Sequence, residues 1–318
     1  MLLTTVAHAE RPSPATYGER LSMARDQLDK CARAENRDYW HAVGGEALNL
    51  LSPLLVETPD DPELHFLIGR AWQCSAQTAD PVHPDTRALG FAASELERAR
   101  RLAPSGRFDR EVPAELGDIE SRLGRYAAAV EEYRRAIDAQ ESLARAARAE
   151  RDGELSRLQG NAAESLMALG RLDEAIARYA LAAKSQPTDA RFPSLPYWGL
   201  AVALDRDNQI DKARAALREA LSLDHHLEVF GEPSIYFMPT GDHFYYEGLA
   251  HEELGRPPLA ATAAPDRVPA ADELRTASAA FRRFLEEQPA SRWANRARAH
   301  LAEIARLLEA VDTRRRDH

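Results

Sequence analysis

The sequence predicts an all-α protein assembled from pairs of antiparallel helices, and three observations lead there. From residue 17 to residue 311, Ala, Leu, Glu and Arg recur at helical spacing, broken briefly by Gly, Asn, Pro or Asp. No stretch alternates apolar and polar residues in the manner of a half-buried strand. One pattern of small, aromatic and helix-stopping residues also returns at intervals along the chain, so an internal repeat takes precedence over other architectures.

The clearest unit spans 156–190. In it Gly170 is followed by Ala175, Tyr179, Ala182 and Pro187. Gly170 would end a first helix by taking a positive φ. Ala175 and Ala182 are small where two helices must approach, Tyr179 fills the space between them, and Pro187 stops the second helix.

The remaining units follow in chain order. A first unit is expected at 17–60. The second, 62–105, has Ile68, Gly69 and Trp72 in its first helix and Ala92, Leu96, Ala99 and Pro104 in its second. The third, 110–155, has Leu116 and Gly117, then Gly124, Ala129, Tyr133 and Ala136. The fifth, 194–229, carries Leu200, Ala201 and Leu204, then Asn208, Ala213, Leu217 and Ala220. In the sixth, 241–290, Tyr245, Tyr246 and Gly248 precede Ala277, Phe281, Phe284 and Pro289. Last comes an amphipathic stripe of Trp293, Ala297, Leu301, Ile304 and Leu308, predicting a capping helix over 291–311 and a frayed tail at 312–318.

These spacings resemble the tetratricopeptide repeat, a helix-turn-helix unit of about 34 residues. The resemblance covers roughly residues 40–290 and implies a right-handed α-solenoid, one superhelical domain over 17–311. The second-helix alanines Ala92, Ala129, Ala175, Ala213 and Ala277 stand 37, 46, 38 and 64 residues apart, so some units carry insertions. The sequence predicts a longer second helix around 141–153, and excursions at 77–85, 225–242 and 257–271.

The resemblance also implies a concave groove lined by the first helices. Carried onto this chain, its groove positions include Phe66, Arg70 and Gln73 in the second unit, and Asp118 and Arg122 in the third. Arg157 and Glu164 represent the fourth, Trp198, Asp205 and Arg206 the fifth, and Tyr245 and Glu252 the sixth. Phe66, Trp198 and Tyr245 are the candidate anchors, and Arg70, Arg122, Arg157 and Arg206 the candidate carboxylate donors, since aromatics and Arg dominate many interfaces. Chaperone-binding members of the family clamp a C-terminal carboxylate with Lys and Asn, and none of these positions is either. The aromatic stretch Phe230, Tyr236 and Phe237, with Pro233 and Pro239, would either cover the groove or plug it.

Chemistry leaves little trace. The chain has no phosphate-binding glycine loop, nucleophile elbow or Cys-x-x-Cys pair, and its carboxylates fall mainly on solvent-facing helix positions. No catalytic residue, cofactor or metal is therefore expected. His243, Glu247 and His251, four residues apart on one helix, are the second alternative, a metal or enzyme site whose competing reading is ordinary helix packing.

Composition agrees with a protein-binding role. The 318 residues carry 41 Lys+Arg against 51 Asp+Glu, a net charge of −10, which disfavours a nucleic-acid backbone as partner. No apolar run approaches the roughly 20 residues that span a bilayer. Only Lys30, Lys184 and Lys212 are lysines; the other 38 basic residues are arginines, through coding bias or carboxylate recognition.

Ala7-His8-Ala9 has the small-x-small form of a signal-peptidase site, so residues 1–9 read as the remnant of a secretion signal beginning upstream, with 10–16 a flexible N-terminus. An ordinary cytoplasmic N-terminus is the alternative. If the chain is exported, Cys31 and Cys74 can pair. Residues 284–304 resemble the closing repeat of periplasmic envelope proteins of the family. The expectation is a non-catalytic scaffold that binds another protein or a peptide segment, in a periplasmic or envelope assembly. The alternative is a cytoplasmic adaptor; partner identity and oligomeric state stay open.

Overall fold

Among the described residues, six helix pairs and one closing helix follow the order in which the repeats occur. The computed structural model describes residues 16–33, 37–76, 84–104, 106, 108–147, 152–187, 189–232, 235, 239, 241–256 and 270–316. The possible secretion signal, most of the 77–85 and 257–271 excursions, and Pro233, Tyr236 and Phe237 lie outside those residues.

The pairs are α1 (Tyr17–Arg33) with α2 (Arg37–Leu51), and α4 (Pro62–Ser75) with α5 (Thr86–Leu102). Next come α6 (Phe108–Arg122) with α7 (Tyr126–Ala147), and α8 (Gly153–Leu169) with α9 (Leu172–Ser185). They are followed by α10 (Leu195–Arg206) with α11 (Ile210–Leu223), and α13 (His243–Gly255) with α14 (Ala271–Glu287). Two short helices, α3 (Leu54–Glu57) and α12 (Glu228–Gly231), sit in connections, and α15 (Ala294–Arg316) closes the chain. Among the described residues the fold is an all-α solenoid without strands.

The turns explain the repeat. Gly124, Gly170 and Asn208 all take positive φ, at 72°, 79° and 60°. At each one the following amide reaches back five residues: Arg125 to Glu120, Arg171 to Leu166 and Gln209 to Leu204, at 2.8, 2.9 and 2.9 Å. This left-handed cap satisfies carbonyls that a helix end leaves unpaired, and it reverses the chain tightly. At the other ends Asp61, Asp85 and Asp152 cap α4, α5 and α8 by accepting backbone N–H bonds.

Close approach explains the small residues. A Cβ at Gly117 would stand 2.6 Å from the Tyr133 ring, and one at Gly248 would stand 2.8 Å from the Phe281 ring. Tyr179 reaches the next pair, where a Cβ at Gly199 would meet its ring at 2.1 Å. Ala129, Ala175, Ala182, Ala213 and Ala277 are buried along the same seams. Cys31 on α1 and Cys74 on α4 are joined by a disulfide, Cα to Cα 6.4 Å, which ties α1 across α2 to the second pair.

The C-terminus corrects one expectation. The tail expected to fray from residue 312 continues as helix to Arg316. The stretch lacks Gly and Pro, the residues that most readily end a helix.

Candidate partner-binding cleft

The first helices α6, α8 and α10 line a cleft of about 570 Å³, closed on its far side by Tyr246 of α13 and by Ile235 of the connection before it. Asp118 on α6 organises one wall. It accepts hydrogen bonds from Tyr133 Oη at 2.6 Å and Asn161 Nδ2 at 3.0 Å through one oxygen, and from Arg157 Nη1 at 3.1 Å through the other. Arg157 gives its remaining donors to Glu154, both at 3.0 Å. The lining also includes an apolar stretch, Phe192 with Leu195 and Pro196 at the start of α10. Arg191 stands at the mouth, 57% exposed, its guanidinium 4.8 Å from the Phe192 ring centroid and paired with Glu232 at 3.0 Å.

The twelve groove positions divide. Gln73, Asp118, Arg122, Arg157 and Glu164 line the cleft. Arg70 lies to the α4 side, paired with Glu115 at 3.4 Å. Burial raises the pKa of Glu115, and the positive charges of Arg70 and Arg157 oppose that rise. The other six positions are buried, and each reading of them as an open contact is corrected.

Phe66 packs on Phe108 with ring centroids 5.1 Å apart. Trp198 has no exposed surface and packs on Phe230 at 5.1 Å, which makes it core rather than an anchor. Tyr245 is likewise fully buried, edge-on to Phe281 and Phe284. Arg206 pairs with Asp242 at 2.9 Å, both side chains 1% exposed, with its guanidinium 4.6 and 5.1 Å from the ring centroids of Tyr245 and Trp293.

Asp205 and Glu252 are covered by α15, and this is the physical reason for the difference. Groove positions are open only where no later element crosses them, and here the basic side chains of the closing helix do. Arg296 holds Asp205 at 2.5 and 3.2 Å. His300 bridges Asp205 at 3.0 Å and Glu252 at 2.7 Å, its ring stacked 4.8 Å from that of Phe281. Burial would lower the His300 pKa, but hydrogen bonds and charge from the two carboxylates outweigh it and push it up to about 9. Burial would raise Asp205 and Glu252; instead His300, with Arg296 and Arg256 respectively, holds both below the usual carboxylate range.

Sequence reasoning missed Asn161, Phe192, Ile235 and Tyr246 in the cleft, and Arg296 and His300 as the partners of Asp205. The last two had a readable signal: they lie three and seven residues after Trp293, beside the apolar stripe of the closing helix. The others lie outside the register positions that were carried over, and Ile235 belongs to a connection that has no register.

His243, Glu247 and His251 stand on one helix, and the charge of His251 reaches Glu247. His251 pairs with Glu273 on α14 at 2.7 Å, and the His243 and Phe244 ring centroids lie 3.8 Å apart. Burial raises the pKa of Glu247. Among the described residues, no three His, Cys, Asp or Glu side chains are grouped to hold a metal, and no helix is long and apolar enough to cross a membrane.

The family model of the tetratricopeptide repeat matches residues 114–143 and 196–225, which fall in the α6–α7 and α10–α11 pairs. The chain carries tetratricopeptide repeats. No curated protein matches it significantly. Similar solved structures include MamA, residue 41 to the end, from Desulfovibrio magneticus RS-1, at 14% identity and TM-score 0.48, covering 67% of this chain and 99% of that one. A crystal structure of MamA is 16% identical with TM-score 0.46, covering 58% of this chain and 90% of that one. MamA AMB-1 is 18% identical with TM-score 0.45, covering 65% and 93%.

Proposed function

We propose that the chain is a non-catalytic scaffold that receives a segment of another protein in the cleft between α6, α8, α10 and α13. The observation that carries this is the composition of that cleft. Its lining combines pre-oriented polar groups around Asp118 with an apolar ledge of Phe192, Leu195 and Pro196. Groups whose rotamers are already fixed lose little entropy on binding, and an apolar ledge supplies area to bury. The acidic groups here are engaged with Arg, Asn and Tyr partners, an arrangement suited to recognition rather than proton transfer.

The setting we propose is an oxidising compartment, the periplasm of an envelope-bearing cell. The Cys31–Cys74 bridge supports it, because such bonds persist where thiols are not kept reduced.

Photo-crosslinking tests the binding reading. A benzophenone amino acid at Leu195, inside the cleft, is compared with one at Leu181, an exposed position on α9. A partner crosslinked from Leu195, absent from Leu181 and lost in Asp118→Ala, is the expected result. Equal capture from both positions, or capture insensitive to Asp118→Ala, would overturn it.

A further inference from the structure

A second hollow, of about 340 Å³, opens between α11, α13 and α15, and it shares no lining residue with the cleft between α6, α8 and α10. Its apolar surface comes from Ile210, Ala213 and Leu217 of α11 and from Leu249 of α13. Positions 210, 213 and 217 fall on one face of a helix, so the three form a stripe. Ile210 is 37% exposed, which leaves part of this stripe open to solvent.

The charged groups around the stripe are unevenly matched. Asp205, Glu252, Glu253 and Glu303 line the hollow, and each of their carboxylate oxygens faces a basic nitrogen. Asp205 is held by Arg296 and His300, and Glu252 by Arg256 and His300. Glu253 takes Arg214 at 2.7 and 3.3 Å and Arg218 at 3.1 Å. Glu303 takes Arg256 at 3.4 Å through one oxygen and Arg306 through the other. The carboxylates are thus all engaged, yet donors are left over. Among the described residues, Arg214 Nη1 has no hydrogen-bond acceptor, and neither have Arg306 Nε and Nη1. His300 adds to the excess, because both of its ring nitrogens face carboxylates and each needs a proton to bond to one.

A surplus of N–H donors beside an apolar stripe, in a chain of net charge −10, defines the chemistry of an occupant. It must bring oxygen acceptors and negative charge at one end and apolar surface at the other. We propose that this hollow binds a small amphiphilic carboxylate, a short apolar chain carrying one acid group. The acid meets the spare guanidinium donors of Arg214 and Arg306, and the chain lies on Ile210, Leu217 and Leu249. A guanidinium offers a planar fork that matches a carboxylate, and bonds between two charged groups are the strong ones. The volume falls in the range of small-molecule sites. A neutral apolar molecule would leave the spare donors facing hydrocarbon, which disfavours it. The proposal stands whether or not the other cleft receives a protein segment.

Titration calorimetry of the full chain with octanoate, and with octanamide as its uncharged counterpart, tests this. Octanoate should bind at a single site, and octanamide roughly tenfold more weakly or worse, since it loses the charge-assisted bonds. Ile210→Glu places a charge on the apolar stripe at an exposed position and should abolish binding. Arg306→Gln, at a 74% exposed side chain, should weaken it about threefold and guards against a first variant that fails to fold. Photolabelling with a diazirine analogue of octanoate locates the site, and the labelled peptides should come from α11, α13 and α15. Absence of saturable heat with octanoate would overturn the proposal, as would equal affinity for octanoate and octanamide. Labelling confined to the cleft between α6, α8 and α10, or undiminished binding in a folded Ile210→Glu variant, would overturn it too.

Discussion

Raising the pH should unload the buried charge cluster beneath α15, with His300 as the group that titrates. Its pKa stands at about 9 against an ordinary 6.5, so its folded value is above its unfolded one. The sign follows from linkage: the contribution is complete below pH 6.5 and is lost as pH rises through about 9. That difference corresponds to about 3 kcal/mol, most of it lost across this interval. The carboxylate shifts of Asp205 and Glu252 describe the same contacts from the other side and are not added. Urea unfolding of wild type and His300→Gln at pH 6.5 and pH 9 reads the effect directly. Wild type should lose about 2–3 kcal/mol more than the variant, whose amide does not titrate, and other histidines cancel in the difference. Equal losses in the two proteins would refute the assignment of His300 as the protonated bridge.

Three further outcomes follow from packing and covalent structure. Reducing Cys31–Cys74, which closes a 43-residue separation, should cost about 4 kcal/mol, seen as a lower urea midpoint with reductant; an unchanged midpoint would contradict the bridge. Gly199→Ala, whose Cβ would meet Tyr179 at 2.1 Å, should destabilise by about 1–3 kcal/mol or more, whereas Gly90→Ala, with open space around it, should stabilise by up to about 1 kcal/mol. A calorimetric melt of both variants separates them, and two shifts of the same sign would refute the seam geometry. Trp198→Ala should cost about 3–5 kcal/mol in urea unfolding, as removal of a fully buried side chain does. A stable variant that merely loses binding would return Trp198 to the groove.

The turns show what a sequence of this kind discloses. Gly124, Gly170 and Asn208 occupy one position of the repeat, and all three take the left-handed conformation because the same cap must form at each. Local sequence suffices there, since the constraint acts within six residues. The alanines and Tyr133, Tyr179 and Phe281 were also legible, because helix pairs demand small and large residues at fixed offsets. Phe66, Trp198 and Tyr245 were not, because groove register says which way a side chain leaves its helix and nothing about what later arrives above it.

Asp205 makes the limit physical. Its partners Arg296 and His300 lie 91 and 95 residues further along, and only the curl of the solenoid brings α15 to α10. A carboxylate on an open groove would be hydrated and free to meet a ligand; buried, it needs compensating positive charge. The arginine-rich composition supplies that charge from inside the chain. Arg157 is committed to Asp118 and Glu154, Arg206 to Asp242, Arg214 to Glu253, and Arg296 to Asp205. A partner with acidic side chains must therefore compete with these internal pairs, while one with apolar residues can use the Phe192–Leu195–Pro196 ledge without breaking any of them. Binding at this cleft should accordingly depend more on replacing Leu195 with a charged residue than on neutralising Arg157.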